Sequence, residues 1–563
     1  MSYMIIDGRK VEFTDEKNIL EVIRKAGIDL PTFCYYSELS IYGACRMCMV
    51  EDQRGSVFAA CSTIPADGMD IKTNTPKLQK HRKMILELLL ASHCRDCTTC
   101  PKNGKCRLQE FAFRYGVKRV RFENNQPKKQ IDTSSKSLVR DMNKCILCGD
   151  CVRVCQEKQG LGVLDFSYRG PKMSISTAFG RDIADTDCVN CGQCAAVCPT
   201  GAITVKDETD KMWDYINDPT KKVYVQIAPA VRVALGDEFG LEHGTNVFGK
   251  IVKALKMMGV DEVYDTTFSA DLTVIEESAE FVERLKKGEK LPLFTSCCPA
   301  WVKYCEQKHP ELMENVSTCR SPMQMFGSVI SEYHKTIDDE RECINVAIMP
   351  CTAKKYEASR EEFTKDGKRN IDLSLTTQEL ATMIREAGIV FNELEGEYTD
   401  EPFDLGSGAG VIFGVTGGVA EAVLRHCADV QNNETIKELA FVGVRGKEEI
   451  KEAVVTVGGQ ELRICVVHGL KNAETVIEGI KSGEMNYHIV EVMACPEGCI
   501  GGAGQPFGMH PERDKRARAL YRADKLAQIK YSSKNTAAIN VYENIIKGRN
   551  HELLHVHYKG TEK

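Results

Sequence analysis

Apolar and polar positions alternate from Met4 to Phe13 around an Asp7-Gly8 pair, which predicts a β-hairpin. Asn18 to Ala26 then follows helical spacing up to Gly27, so the chain should begin with a small half-open sheet carrying one helix. Between Lys77 and Ser92 the run MILELLLAS is apolar at helical intervals and leads directly into a cysteine-rich segment. The pattern lapses from Lys118 to Lys136, where Asn124, Asn125, Pro127 and several lysines read as a linker or solvated face. From Val223 onward, strand-like runs (VYVQIA, INVAIMP, AFVGV, LRICVV) alternate with helical segments such as Val247 to Met258 and Thr377 to Gly388. That alternation predicts an α/β domain of about 340 residues. The glycine-rich GSGAGVIFGVTGG from Gly406 reads as a turn that needs close backbone approach, because it fits no dinucleotide loop cleanly. RARALYRADKL and NTAAINVYENIIKG read as helices that end near His555 and His557.

A chain of 563 residues implies several domains, and 43% apolar with 27% charged residues is ordinary for a globular protein. With 74 basic against 80 acidic side chains and a net charge of -6, no basic field exists to hold a nucleic-acid backbone, so nucleic acid is not an expected partner. No apolar run reaches about 18 residues and the start lacks the look of a signal peptide, so neither membrane insertion nor export is expected and the cytoplasm is the expected location. The 26 cysteines change the picture, since sixteen of them fall before residue 200. Clustered thiols in a reducing compartment are read as metal ligands before disulfides.

Cys34, Cys45, Cys48 and Cys61 are spaced C-x10-C-x2-C-x12-C. The central pair matches the plant-type 2Fe-2S ferredoxin spacing, the first gap does not, and four thiolates would also suit zinc. In HCRDCTTCPKNGKC, His93, Cys97, Cys100 and Cys106 form one ligand set, while Cys94 in place of His93 gives an all-cysteine rival. Spacing alone does not choose between them. Cys145, Cys148, Cys151 and Cys155, and again Cys188, Cys191, Cys194 and Cys198, are C-x2-C-x2-C-x3-C runs. In two-cluster ferredoxins the fourth cysteine of each run ligates the other cluster, which assigns Cys198 to the first site and Cys155 to the second.

Three further segments end strand-like runs: TSCCPAW with Cys297 and Cys298, MPCTAKKYE with Cys351, and EVMACPEGCIGGAGQP with Cys495 and Cys499. Loops at strand ends are where α/β folds build sites, so these distant segments are candidates to converge on one metal centre. The three motifs resemble those of the FeFe-hydrogenases, and the resemblance extends to the N-terminal cysteine modules of the larger members. It implies an H-cluster, a 4Fe-4S cubane bridged to a diiron unit with carbonyl, cyanide and dithiolate ligands. Cys298, Cys351, Cys495 and Cys499 would hold the cubane, Cys499 would bridge to the diiron unit, and Cys297 would be the terminal proton shuttle.

The same resemblance turns Glu277, Glu280 and Arg284, which share one helical face, into a relay running Cys297, Glu277, Ser317, Glu280, Arg284. It also places Lys354, Met349, Pro229, Met493 and Phe413 around the diiron unit. Ala230 stands where several members have serine, and Met323 where many have glutamine, so two hydrogen bonds to the cluster are missing. Cys305, Cys319, Cys343, Cys427 and Cys465 read as core residues.

The implied fold is multidomain α+β and α/β. It comprises a β-grasp 2Fe-2S ferredoxin-like domain (1–78), a small helical His/Cys 4Fe-4S domain (79–120), a two-4Fe-4S ferredoxin domain (137–209) and a large α/β H-cluster domain (210–563). The implied cofactors are one 2Fe-2S cluster, three accessory 4Fe-4S clusters and the H-cluster. The implied reaction is reversible H2 oxidation and proton reduction, with ferredoxin or flavin-binding subunits as electron partners and maturation proteins supplying the diiron unit. An NAD-dependent, electron-bifurcating assembly has the same module order. A complex I-like electron-transfer subunit, a hydrogen sensor or an iron-sulfur assembly factor fits less well, because all three motifs and Cys297 are intact.

Overall fold

The computed structural model describes residues 2–123, 127–365, 367–432, 445–446, 448–457 and 459–558. Asn124 and Asn125 of the expected linker and the AFVGV run lie outside the described residues. The chain packs as two compact units, the first made of residues 1–157, 161–186 and 194–204, the second of 158–160, 187–193 and 205–563.

In the first unit, β1 (Ser2–Ile6) and β2 (Arg9–Phe13) form the expected hairpin, turning at Asp7 (φ 49°) and Gly8 (φ 82°). They join β3 (Met49–Asp52), β4 (Val57–Ala59) and β5 (Asp70–Lys72) in a five-stranded sheet of order β2-β1-β5-β3-β4. Helix Ile19–Lys25 starts where the Asn18 side chain accepts the Glu21 amide at 3.1 Å, a cap worth about 1 kcal/mol. Its Leu20 and Ile23 bury against Met4, Ile6, Val50 and Ile71 of the sheet. Helix Pro76–Ala91 is capped by Thr75, and its buried Arg82 donates to the carbonyls of Met47, Met49 and Thr73, which pins the first cysteine loop to the sheet. Two short ribbons complete the unit: β6 (Leu138–Arg140) is in a two-stranded sheet with β9 (Ile203–Val205), and β7 (Asp165–Ser167) pairs with β8 (Ser174–Ser176).

The second unit holds two four-stranded sheets. One has the order β11-β10-β13-β16, from β10 (Lys221–Ile227), β11 (Glu262–Asp265), β13 (Glu342–Met349) and β16 (Leu373–Thr376), all parallel. The other has the order β12-β19-β18-β17, from β12 (Leu293–Phe294), β17 (Ile450–Val457), β18 (Gln460–His468) and β19 (Ile489–Met493). In it only the β17–β18 pair is antiparallel. A small hairpin, β14 (Thr364–Lys365) with β15 (Lys368–Arg369), lies between β13 and β16 in sequence. β13 and β19 are buried almost throughout, the signature of parallel strands covered on both faces.

GSGAGVIFGVTGG is mostly helical, with its turn confined to residues 415–417. The Ser407 side chain caps a helical turn at Gly408–Val411, and a second helix runs from Gly418. The glycines serve close packing, as the reading held: a Cβ on Gly410 would lie 2.6 Å from the Thr267 carbonyl oxygen. Farther along, helix His510–Leu526 is followed by Thr536–Val541, a wide turn at Tyr542–Ile546, and helix Asn550–Leu554. The chain then pairs across residues 318–320, with the Arg320 amide donating to the Leu554 carbonyl and the Val556 amide to the Thr318 carbonyl, each at 2.8 Å.

Candidate metal and catalytic centres

Cys34, Cys48 and Cys61 are buried and Cys45 nearly so, in the loop that Arg82 pins. The amides of Cys45 and Phe33 donate to the Cys34 and Cys45 sulfurs, each at 3.4 Å. The hydrogen bond with Cys34 draws the Cys45 thiol down to about 6, while the bond with Cys61 and burial push Cys48 up. Four crowded thiols that cannot all ionise together are what a cationic iron centre relieves.

In the second set, Cys97, Cys100 and Cys106 interact electrostatically, and burial raises the Cys106 thiol. Gly201 admits the Cys100 sulfur, which would lie 2.8 Å from a Cβ there. His93 Nδ1 is buried without a hydrogen-bond partner, and burial lowers the imidazole pKa toward the neutral form that a metal ligand needs. Cys94 is adjacent, its amide donating to the Asn143 carbonyl at 3.2 Å.

Cys145, Cys148, Cys151 and Cys198 line one small cavity, walled by Met142, Ile146, Ile175 and Ile203. The last cysteine of the second run therefore meets the first three of the first run. Cys34 and Cys148 belong to one apolar cluster, and Arg153 donates to the Cys34 carbonyl at 3.0 Å, so the first and third sets are neighbours.

In the second unit, four segments leave the C-terminal ends of parallel strands and meet at one cavity. β10 delivers Pro229 and Ala230, β12 delivers Cys297 and Cys298, β13 delivers Met349 and Cys351, and β19 delivers Met493, Cys495 and Cys499. Phe413, Met323 and Lys354 also line it, so Ala230 and Met323 both present apolar surface to it. Burial raises every one of these five thiols, Cys351 to about 11; Cys298 raises Cys351 further, and Cys298 and Cys351 raise both Cys495 and Cys499. Lys354 is buried and donates to the Cys297 carbonyl at 3.2 Å and to Glu357 at 2.7 Å. Four cavity-lining thiols, Cys495 buried and the others half-buried, beside a fixed cation in an otherwise apolar cavity fit a cubane with an anionic ligand shell.

Cys297 stands apart, feeling Glu277 before the other thiols. Glu277 is 1% exposed, and burial lifts its carboxyl to about 8. One turn along helix Thr267–Lys287, Glu280 Oε2 accepts from Ser317 Oγ, from the Thr318 amide and from Thr318 Oγ1, each at 3.1 Å, and the carboxylate is ion-paired with Arg284. Arg284 is held by the carbonyls of Asn315 and Val316, both at 3.0 Å.

The structure also brings in residues that the motifs carry but the reading left unassigned. Glu357 is the final residue of MPCTAKKYE and anchors Lys354. Gln505, from GGAGQP, donates to the Ala230 carbonyl at 2.9 Å and accepts from Thr377 at 2.6 Å, fixing the β10 loop. Glu491 on β19 is fully buried and accepts the Gly417 and Ala420 amides at 2.7 and 2.9 Å. No local signal marks it as more than an alternation-breaking charge in a strand. Cys305, Cys319, Cys343, Cys427 and Cys465 are all buried. Among the described residues no helix is long and apolar enough to cross a membrane.

Residues 221–503 match the family described as iron only hydrogenase large subunit, C-terminal domain, and 510–561 match iron hydrogenase small subunit. Residues 4–76 match a 2Fe-2S iron-sulfur cluster binding domain, 82–121 the NADH-ubiquinone oxidoreductase-G iron-sulfur binding region, and 144–202 a 4Fe-4S dicluster domain. The chain is 41% identical to the NADP-reducing hydrogenase subunit HndD of Solidesulfovibrio fructosivorans over 99% of both chains. It is 36% identical to iron hydrogenase 1 of Clostridium pasteurianum, over 99% of this chain and 100% of that one. The solved structure of an apo FeFe-hydrogenase from Chlamydomonas reinhardtii is similar with a TM-score of 0.56 at 36% identity, covering 63% of this chain and 99% of that chain. Agreement of this length with relatives of one kind, over motifs whose side chains meet at a single cavity, means that the chain belongs to the iron-only, or FeFe, hydrogenases, oxidoreductases acting on H2.

Proposed function

We propose that Cys298, Cys351, Cys495 and Cys499 hold the cubane of the H-cluster, with Cys499 bridging to the diiron unit, and that Cys297 passes protons to and from it. The observation that supports this most is that Cys297 lines the thiol-lined cavity and also feels the charge of the buried Glu277. The H-cluster supplies the redox chemistry that joins two protons and two electrons into H2. The chain's own residues move the protons. Cys297 hands a thiol proton to the cavity and is reprotonated by Glu277, whose carboxyl near 8 can give and retake a proton around neutral pH. Ser317 relays between Glu277 and Glu280 through its rotatable hydroxyl, and Arg284 holds Glu280 at the outer end. Of the three Lys354 donors, two are spent on Glu357 and the Cys297 carbonyl. The third would be available to an anionic diatomic ligand of the diiron unit, and Pro229, Met349, Phe413 and Met493 would keep the remainder dry.

Electrons would travel through a 2Fe-2S cluster on Cys34, Cys45, Cys48 and Cys61, a 4Fe-4S cluster on His93, Cys97, Cys100 and Cys106, and two more on the exchanged quadruplets. The second quadruplet site would use Cys155, Cys188, Cys191 and Cys194. The unpartnered His93 Nδ1 favours His93 over Cys94 in the second set. The N-terminal modules serve either ferredoxin or flavin-binding partner subunits in the cytoplasm. Likeness to a subunit named as NADP-reducing favours partner subunits. Maturation proteins would deliver the diiron unit.

The test is a pair of variants. Cys297→Ala should keep the carbonyl and cyanide infrared bands and lose nearly all H2 evolution from reduced methyl viologen, whereas Cys499→Ala should lose the bands themselves. Normal turnover in Cys297→Ala removes the shuttle role.

A further inference from the structure

Glu280, Cys319 and His555 each offer a ligand atom within 4.8 Å of the others, and Cys319 and His555 are buried. The Cys319 sulfur lies 3.7 Å from Glu280 Oε2, while Thr318 Oγ1 sits between that oxygen, at 3.1 Å, and His555 Nδ1, at 2.8 Å. A thiol, an imidazole and a carboxylate converging on one point are the donor set of a tetrahedral d10 cation. A second feature points the same way. His555 Nε2 is 3.0 Å from Glu276 Oε2, and the other Glu276 oxygen accepts from Tyr542 at 2.6 Å and Asn550 at 2.9 Å. Zinc-ligating histidines typically give their other ring nitrogen to a carboxylate that is itself anchored, which fixes tautomer and ring orientation. Here Glu276 holds Nε2, and Nδ1 meets Thr318 Oγ1, whose other neighbour is Glu280 Oε2.

We infer that Glu280, Cys319 and His555 form an inhibitory site for a thiophilic divalent cation, Zn2+ being the type, and that its occupation cuts proton traffic at Glu280. The inference rests on the proposed role of Glu280 in the relay. Tetrahedral zinc wants its donors roughly 3.5 Å apart, which the Cys319 sulfur and Glu280 Oε2 nearly meet at 3.7 Å, and no pair in the trio exceeds 4.8 Å, so small side-chain shifts complete the site. The charges balance: Zn2+ takes the Glu280 carboxylate and the Cys319 thiolate, and the thiol proton leaves to solvent. Glu280 Oε1 stays with Arg284, but Oε2, the atom that accepts from Ser317, becomes a metal ligand. Ser317 then has no acceptor beyond it, and the path from Glu277 stops. Thr318 Oγ1 yields its place between Oε2 and Nδ1 to the ion.

The probe is ZnCl2 against MgCl2, added to matured, cluster-loaded holoenzyme. The wild type should bind one zinc more than Cys319→Ala or His555→Gln, with a zinc-edge absorption spectrum showing one sulfur neighbour and nitrogen or oxygen otherwise. Cys319→Ser should bind with that sulfur shell missing or not at all. H2 evolution by the wild type should fall at least tenfold at saturating zinc and return on chelation, while Cys319→Ala and His555→Gln keep their zinc-free rate in its presence. Equal zinc content and equal inhibition in wild type and both variants overturns the site. Zinc bound with the one-sulfur shell but without loss of turnover overturns the block and traces the failure to the relay role of Glu280, since the site itself is then present.

Discussion

Replacing Glu277 by glutamine should make the hydrogenase more stable and nearly inactive. The carboxyl sits at about 8 against 4.5 for a free one, because burial disfavours its charged form. Below pH 4.5 the group is protonated whether the protein is folded or unfolded, and it costs nothing. Between 4.5 and 8 the folded protein keeps the proton that the unfolded chain releases, so stability falls as pH rises, and above 8 the loss is complete. At pH 7 the difference is 2.5 units at 1.36 kcal/mol each, or about 3 kcal/mol. Glutamine resembles the protonated acid in size and cannot ionise, so Glu277→Gln should recover much of that amount at pH 7 and almost nothing at pH 4.5. The same change removes the proposed proton carrier. General acid–base groups typically contribute 10²- to 10⁴-fold, so turnover should drop by at least 10²-fold, equivalent to about 3 kcal/mol on the barrier. Thermal unfolding at pH 5 and pH 8, with infrared bands confirming a loaded H-cluster, reads the first effect, and H2 evolution from reduced methyl viologen reads the second. Turnover within twofold of wild type, or a stability gain equal at both pH values, would refute the reasoning.

Cys198→Ala should remove or shift the same 4Fe-4S resonance as Cys145→Ala in a potentiometric EPR titration; effects on two different resonances would break the exchanged assignment. His93→Ala should shift or abolish one distal cluster signal while Cys94→Ala leaves the spectra unchanged, and the opposite pattern would move the ligand role to Cys94. Ala230→Ser combined with Met323→Gln restores two donors to the cavity wall, each worth about 1 kcal/mol or roughly fivefold in an equilibrium constant. The pair should move the cyanide and carbonyl bands and change the ratio of H2 evolution to uptake, and unmoved bands would show that neither side chain reaches the cluster.

Much of this was legible because a metal site writes itself into short spacings. The quadruplet ending at Cys198 assigns its own partners, and the cavity shared with Cys145, Cys148 and Cys151 follows the spacing rule. The hydrophobic runs before Cys297, Cys351 and Cys495 announced strands, and strands in parallel sheets deliver their following loops to one edge. His93 and Cys94 were not separable on the page because adjacent residues satisfy the same spacing; burial of an unpartnered ring nitrogen is a property of the fold. GSGAGVIFGVTGG misled because glycine marks both turns and close helix packing. The Ser407 cap and the Thr267 carbonyl beneath Gly410 select the second. Ser317 and Arg284 were expected beside Glu280, but its His555 side was invisible, since His555 reaches Thr318 across 237 positions and Glu276 across 279.

That long reach bears on how the enzyme comes to life. Ser317 and Thr318 hold Glu280 only while the strand at 318–320 lies flat, and the backbone that flattens it comes from Leu554 and Val556. During synthesis the cavity thiols, the last of them Cys499, are all in hand before residue 554 leaves the ribosome. The proposed proton relay thus leans on a clasp that contains no catalytic group and is synthesised after every cavity thiol. A protease nick between Arg549 and Val556 would leave a fully loaded, spectroscopically intact enzyme with its wire to solvent slack.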